Sequence, residues 1–131
     1  MKGKYLLPLL LCLCLANCAP LVLFGAGTAF GVSGYKYYKG ALTVIYQAPY
    51  MATWDATLRA LEGMNLQIHS KEHDLTAGKI KAKRVGKKPV NVSLKYKSAQ
   101  ETEVVIRAGY LGDQGASMAI KEQIRKELFK E

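Results

Sequence analysis

The side chains with the most reactive chemistry in this chain of 131 residues are three cysteines and two histidines. The cysteines all lie near the N-terminus, whereas His69 and His73 lie four residues apart in the middle of the chain. We expect the two histidines to occupy a strand and the turn after it, so they do not share a helix face and do not predict a metal site. The sequence also lacks the short motifs of zinc peptidases, serine hydrolases and P-loop proteins. We therefore expect no enzymatic activity, no metal and no catalytic cofactor.

The third cysteine, Cys18, follows a segment with the order of an export signal. Lys2 and Lys4 make a positively charged start, and Leu6–Leu15 form a short apolar run interrupted by Pro8. A basic start followed by a short apolar run is typical of a signal peptide. The sequence therefore predicts that the protein is exported.

The four residues that end this segment, LANC (15–18), resemble a lipobox. In that motif the cysteine sulfur receives a diacylglycerol, the peptidase cleaves before the cysteine, and the new amino group is acylated. The first two places match the motif, whereas Asn17 departs from it, because that place is usually Gly, Ala or Ser. We expect residues 1–17 to be a lipoprotein signal peptide and Cys18 to carry a covalent lipid. Two or three acyl chains would hold the protein firmly at a membrane.

Residues 18–39 are predicted to form a membrane-proximal tether, because they are apolar and glycine-rich up to Gly34 and then rich in Tyr and Lys. Two alternatives stay open. The apolar run Leu6–Phe30 is long enough to span a bilayer as an uncleaved anchor. Gly27 and Gly31 have the G-x-x-x-G spacing that lets helices approach closely in lipid, which would make the segment a structural, oligomerising element.

Aromatic and basic residues alternate at the end of this tether. Such residues are typical of the headgroup level of a membrane. We therefore expect this stretch to lie near the lipid surface; it comprises Tyr35, Lys36, Tyr37, Tyr38 and Lys39.

Residues 40–131 are predicted to form one globular α+β domain. Segments of alternating hydrophobicity indicate five strands, whose predicted inward-facing residues include Ile80, Val92 and Leu94. Apolar residues at spacings of three and four indicate two helices. The predicted apolar stripes are Met51, Trp54, Leu58 and Leu61 on the first helix, and Ala116, Ile120, Ile124 and Leu128 on the second. Short polar connections between the last four strands favour an antiparallel sheet. The expected architecture is a two-layer sandwich in the order β-α-β-β-β-β-α, with a five-stranded antiparallel sheet and both helices on one face. The predicted elements are strand 41–48, helix 50–64, strands 66–71, 78–84, 90–97 and 103–108, and helix 114–130, with Asp113 as its N-cap.

Positive charge is concentrated on two neighbouring strands of this sheet. The formal net charge of the chain is +9, and Leu75–Gln100 contains eight Lys and Arg but no Asp or Glu. Because residues two apart share a face of a strand, the basic side chains are expected on the face opposite the core. The predicted basic binding face consists of Lys79, Lys81, Lys83, Lys95, Lys97 and Arg107, with His69 and Lys71 on the same side.

Three interpretations of this basic face stay open. The first is a solvated surface whose lysines keep the sheet edges from pairing with other molecules. The second is a surface that attracts anionic lipid headgroups. The third is a binding site for an anionic envelope polymer or a partner protein. We do not expect nucleic acid as a partner, because an exported protein rarely meets it and no nucleic-acid-binding motif is present. The sequence does not predict the oligomeric state.

The order of these motifs resembles a family of small bacterial lipoproteins known only as a domain of unknown function. The resemblance covers nearly the whole chain, and it implies a lipoprotein that faces the periplasm. Because Ala19, directly after the cysteine, is not the aspartate associated with inner-membrane retention, we expect the protein to be anchored at the outer membrane if the cell is Gram-negative. It implies no activity and no functional residue besides the lipidated Cys18. The matching features are Cys18 and the segments GAGTAFGVSG, YYKGALTVIYQAP, TWDATLRALEGM and GYLGDQGASMAIKEQI.

Overall fold

The computed structural model describes residues 31–84 and 88–129, which contain a six-stranded antiparallel sheet and two helices. The chain is therefore α+β, as predicted, and the order of elements after the first strand is the predicted one. The elements are β1 (Val32–Tyr38), β2 (Ala41–Tyr46), α1 (Tyr50–Gly63), β3 (Gln67–His73), β4 (Ala77–Lys83), β5 (Pro89–Ser98), β6 (Glu101–Ala108) and α2 (Gln114–Phe129).

The prediction of five strands was wrong, because β1 adds a sixth. It pairs with β2 through a two-residue turn in which Lys39 and Gly40 have φ of 51° and 83°. Positive φ at both positions is the geometry that suits a tight hairpin, but Lys-Gly signals it less strongly than Asn-Gly or Asp-Gly. The sheet therefore begins at Val32, inside the range 18–39 that we expected to be a tether.

The sheet has the strand order β1-β2-β6-β5-β4-β3, so β6 lies between β2 and β5. One row of apolar side chains crosses the four central strands at matched positions and is at most 1% exposed. The row consists of Leu42, Ile106, Val92 and Ile80. These residues form the centre of the core on one face of the sheet, as the alternation predicts.

The two edge strands each carry a register irregularity. In β1 it lies between Val32 and Gly34, and in β3 between Ile68 and Ser70. Bulges and charged side chains at a sheet edge disfavour pairing with a further strand. Both edges of this sheet are blunted in that way.

Helix α1 buries a face that is rotated from the predicted stripe. Trp54 and Leu61 are buried as expected, but Met51 is 47% exposed and the fully buried Ala56 and Ala60 take part in the core. The predicted stripe follows the largest apolar side chains, so it omits the small residues that lie in the core. The helix packs against α2 and also contacts β3, β5 and β6.

Helix α2 begins where predicted, because Asp113 acts as its N-cap. The Ala116 backbone N–H donates to Asp113 Oδ1 at 3.0 Å, which satisfies one of the free N–H groups of the first turn. Ile120 and Ile124 are buried at 2% and 0% exposure, in agreement with the predicted stripe. The helix contacts β2 and β6 of the sheet.

Polar contacts fasten α2 to the first two strands. The buried Tyr46 hydroxyl donates to the Lys121 carbonyl oxygen at 2.8 Å, and burial raises the pKa of Tyr46. The Lys121 ammonium lies 3.9 Å from the centroid of the Tyr35 ring. Burial lowers the pKa of Lys121. Because Tyr35 belongs to β1, these contacts hold the edge strand against the helix layer.

Candidate binding face

Three lysines of β4 occupy alternate positions and are exposed, while the residues between them are buried. Lys79, Lys81 and Lys83 lie opposite Ser93, Asn91 and Pro89 of β5. Their neighbours Ile80 and Ala82 are 1% and 2% exposed. The strand therefore presents its lysines on the side away from the core, as the sequence predicted.

Lys95 and Arg107 add to the same side from β5 and β6. Lys95 lies opposite Ala77 and is exposed, and Arg107 lies opposite Asn91 and is half-buried. One guanidinium nitrogen of Arg107, Nη1, donates to the Lys39 carbonyl oxygen at 3.2 Å. Arg107 therefore also supports the turn between β1 and β2.

Three residues expected on this face lie at register irregularities or on the other side, and His69 is one of them, at the irregularity of β3. Lys97 is exposed but lies at the irregularity between Tyr96 and Ser98, so no cross-strand position fixes its side. Lys71 lies opposite the buried Ile80, which places it on the core side of the edge strand β3. Because a bulge shifts the alternation by one residue, the side of Lys71 did not follow from counting along the strand.

Two glutamates lie among the lysines, and the sequence did not predict them there. Glu72 of β3 is opposite Lys79, and Glu103 of β6 is opposite Lys95. Both lie outside the acid-free stretch Leu75–Gln100 and reach the face from the neighbouring strands. In the part of the chain that the structure describes, no ion pair within 4.0 Å joins these acids to the lysines.

These charged residues surround a shallow open depression of about 750 Å³. Two half-buried residues without charge, Ser93 and Val105, lie in the same depression. The charged side chains that line it are Lys79, Lys81, Lys95, Glu72, Asp74 and Glu103. The face can therefore hold a partner that offers both negative and positive groups.

The turn between β3 and β4 bounds one end of the depression and is organised by Asp74. Its Oδ1 accepts hydrogen bonds from the backbone N–H groups of Thr76 at 2.8 Å and Ala77 at 2.9 Å. These bonds lower the pKa of Asp74. The adjacent His73 ring lies 4.6 Å from the Trp54 ring, so this histidine packs on the first helix.

Metal-ligand side chains do not gather anywhere in residues 31–84 and 88–129. The structure brings no three His, Cys, Asp or Glu side chains there into a group that could hold an ion. His69 is exposed at the irregularity of β3, while the His73 ring packs against Trp54 at an angle of 53° between the ring planes. The two histidines therefore do not form a site together.

Within these same ranges, no helix is both long and apolar enough to cross a membrane. Cys18, the signal peptide, the alternative anchor Leu6–Phe30 and Gly27 of the G-x-x-x-G spacing lie outside the described residues. Of the Tyr and Lys residues expected near the lipid surface, those at positions 35–38 belong to β1 and Lys39 lies in the turn after it. Tyr35 and Tyr37 lie opposite the buried Val44 and Leu42, and Lys36 and Tyr38 lie on the other side.

The fold and this face together define a small α+β domain whose open sheet surface carries mixed charge with an excess of lysine. The family model described as "Protein of unknown function (DUF3568)" matches residues 4–127. The chain belongs to this family, which confirms the resemblance to a domain of unknown function. A comparison with curated proteins found no match.

Proposed function

We propose that this protein is a non-enzymatic lipoprotein of the cell envelope that uses its basic sheet face to bind a partner. Cys18 carries the lipid, and the globular domain faces the periplasm from the outer membrane if the cell is Gram-negative. In the same proposal, both helices cover one face of the sheet and leave the other face free. The partner is a protein or an anionic envelope polymer.

The observation that carries this proposal is the exposure of four lysines on one side of two adjacent strands. Lys79, Lys81 and Lys83 alternate with buried residues of β4, and Lys95 joins them from β5. Lysines on one open face attract negative charge and speed encounter with an acidic partner. The contacts of both helices with the sheet support it as well.

The two glutamates favour a protein over a uniformly anionic polymer. Glu72 and Glu103 lie opposite Lys79 and Lys95, so a polymer with only negative charge would meet repulsion at two points of the depression. A protein surface can match alternating charges, and such matching contributes to specificity. We therefore expect a partner protein with a mixed, predominantly acidic surface.

The binding face is tested by recovery of partners from crosslinked envelopes. We expect the double variant Lys79→Gln, Lys81→Gln to recover much less partner than the unsubstituted protein. The matched control, Lys71→Gln with Lys126→Gln, removes the same charge from exposed residues elsewhere. Equal recovery by the two variants would contradict a role for this face.

The two glutamates distinguish the two kinds of partner. Glu72→Gln with Glu103→Gln should weaken a charge-matched protein partner, and it should strengthen binding to a uniformly anionic polymer. Binding that is insensitive to salt would argue against an electrostatic interaction altogether.

Attachment through Cys18 is tested separately by intact mass. The expected mass is that of a chain that begins at Cys18 and carries acyl groups on the sulfur and the amine. A free thiol at Cys18, or a retained segment 1–17, would refute the lipoprotein part of the proposal.

A further inference from the structure

Large apolar side chains at one end of the sheet are mostly exposed. We call this end the apex; it consists of Tyr38–Gly40, which is the last residue of β1 and the turn to β2, and Gly109–Gly112, between β6 and α2. Tyr38, Tyr110 and Leu111 are 66%, 77% and 91% exposed. Exposed apolar side chains that are grouped on neighbouring loops often mark an interaction site.

The two loops of the apex are in direct backbone contact, and glycines make that contact possible. Gly40 and Gly112 have φ of 83° and 86°, and a methyl group on Gly112 would overlap the Cα and carbonyl of Gly40. A methyl group on Gly40 would lie 2.7 Å from the Leu111 carbonyl oxygen. Arg107 adds its hydrogen bond to the Lys39 carbonyl oxygen at 3.2 Å. The exposed side chains are therefore held outward by a close backbone contact.

Basic residues accompany these apolar side chains. Lys39 lies within the apex, and its ammonium is 5.4 Å from the centroid of the Tyr38 ring. Lys88 lines a shallow depression of about 590 Å³ together with Tyr110 and Leu111. The acid lining it is Asp113, whose Oδ1 already accepts the Ala116 N–H at the start of α2.

We propose that the apex docks on the surface of an anionic lipid bilayer, with Tyr110 and Leu111 entering the headgroup layer and Lys39 and Lys88 contacting acidic headgroups. Tyr and Leu beside lysines are the residues that place protein segments at a membrane interface. Lysine stems can lie along the apolar layer while their ammonium groups stay among the phosphates. The contact is a second one, distinct from the basic sheet face and from any lipid on Cys18.

A bilayer fits this surface better than a protein partner does. Three apolar side chains on two turns cover far less than the roughly 800 Å² per partner of a stable protein interface. A membrane needs no such complementary area, because lipids rearrange around each side chain that enters. The positive charge beside the apolar tip also matches an anionic leaflet.

A tryptophan reporter in the full chain tests this proposal. The sequence has one tryptophan, Trp54, which is 4% exposed and therefore shielded from lipid. Leu111→Trp places a second tryptophan at the apex. Leu75→Trp is the matched control, since Leu75 is 89% exposed in the β3–β4 turn at the opposite end of the sheet.

Both variants are reconstituted in vesicles of phosphatidylethanolamine and phosphatidylglycerol with brominated acyl chains, which quench tryptophan on contact. We expect the emission of the second tryptophan in Leu111→Trp to shift to shorter wavelength and to lose most of its intensity. In Leu75→Trp, the emission of the second tryptophan should keep its wavelength and its intensity. Adding Lys39→Gln and Lys88→Gln to Leu111→Trp should restore much of the emission. Phosphatidylcholine vesicles should quench Leu111→Trp less.

Equal emission from the two tryptophans, or stronger quenching of Leu75→Trp, would overturn the proposal. If the tryptophan at position 111 is shielded from water in native envelopes but not in vesicles, the apex binds a protein partner. That result would overturn the bilayer proposal as well. The intact mass of the same samples separates this result from the lipoprotein proposal. Quenching at Leu111→Trp with a free Cys18 thiol would refute lipidation alone, and an acylated Cys18 without quenching would refute the apex alone.

Discussion

Replacing Gly112 by alanine should destabilise the protein through two separate effects. Gly112 has φ of 86°, a backbone conformation that costs a residue with a side chain about 1–2 kcal/mol. The new methyl group would also overlap the backbone of Gly40, and overpacking of this kind costs about 1–3 kcal/mol when neighbours must move. We expect Gly112→Ala to lower the free energy of unfolding by about 2–5 kcal/mol, the sum of the two effects.

Gly109→Ala is the control that isolates the contact between the loops. Gly109 has φ of 79°, close to that of Gly112, but a methyl group there would have no atom within 4 Å. This variant should therefore lose only the conformational part, about 1–2 kcal/mol. The difference between the two variants measures the packing of Gly112 on Gly40.

The assay is urea unfolding followed by the fluorescence of Trp54, which is buried at 4% exposure and reports on the core. The free energies are compared only if the variants have the same dependence of unfolding free energy on urea concentration. A change in that slope would mean that the unfolded state had changed as well. Equal losses for Gly112→Ala and Gly109→Ala would refute the close contact between the loops. They would also remove the structural basis of the rigid apex.

Two further changes test the core and the β3–β4 turn. Thr102→Val should lower the free energy of unfolding in urea by about 1 kcal/mol, because the fully buried Thr102 hydroxyl donates to the Ala48 carbonyl oxygen at 2.9 Å. The control Thr43→Val, at a half-buried position on the outer side of β2, should change stability little. Equal losses for the two variants would contradict the role of this hydrogen bond. Asp74 has a pKa below its ordinary value of 3.8, so its contribution to stability is present above that pH and is lost as the pH falls through the lower, folded-state value. Asp74→Asn should therefore reduce the loss of stability on acidification, measured as the urea midpoint at several acidic pH values. An unchanged dependence of the midpoint on pH would show that the hydrogen bonds from Thr76 and Ala77 do not stabilise the charged form of Asp74.

Much of the fold could be predicted because it depends on local patterns. Alternation in β4 and β5 identified the buried residues Ile80, Val92 and Leu94, and the Asp113 cap marked the start of α2. A strand buried on one face imposes period two on its sequence, so such segments are identified without knowledge of their neighbours. The edge strand β1 escaped prediction because its Tyr and Lys residues suit a membrane-proximal segment equally well.

The candidate sites divide in the same way. The sequence by itself determined that Lys79, Lys81 and Lys83 share the side of β4 away from the core, since alternation is a property of one strand. Only the tertiary structure decided that Glu72 and Glu103 lie beside Lys79 and Lys95, and that Gly40 touches Gly112 to form the apex. Those neighbours come from strands and loops distant in the chain. The strand order that joins them depends on packing between elements distant in the chain, which no local pattern specifies.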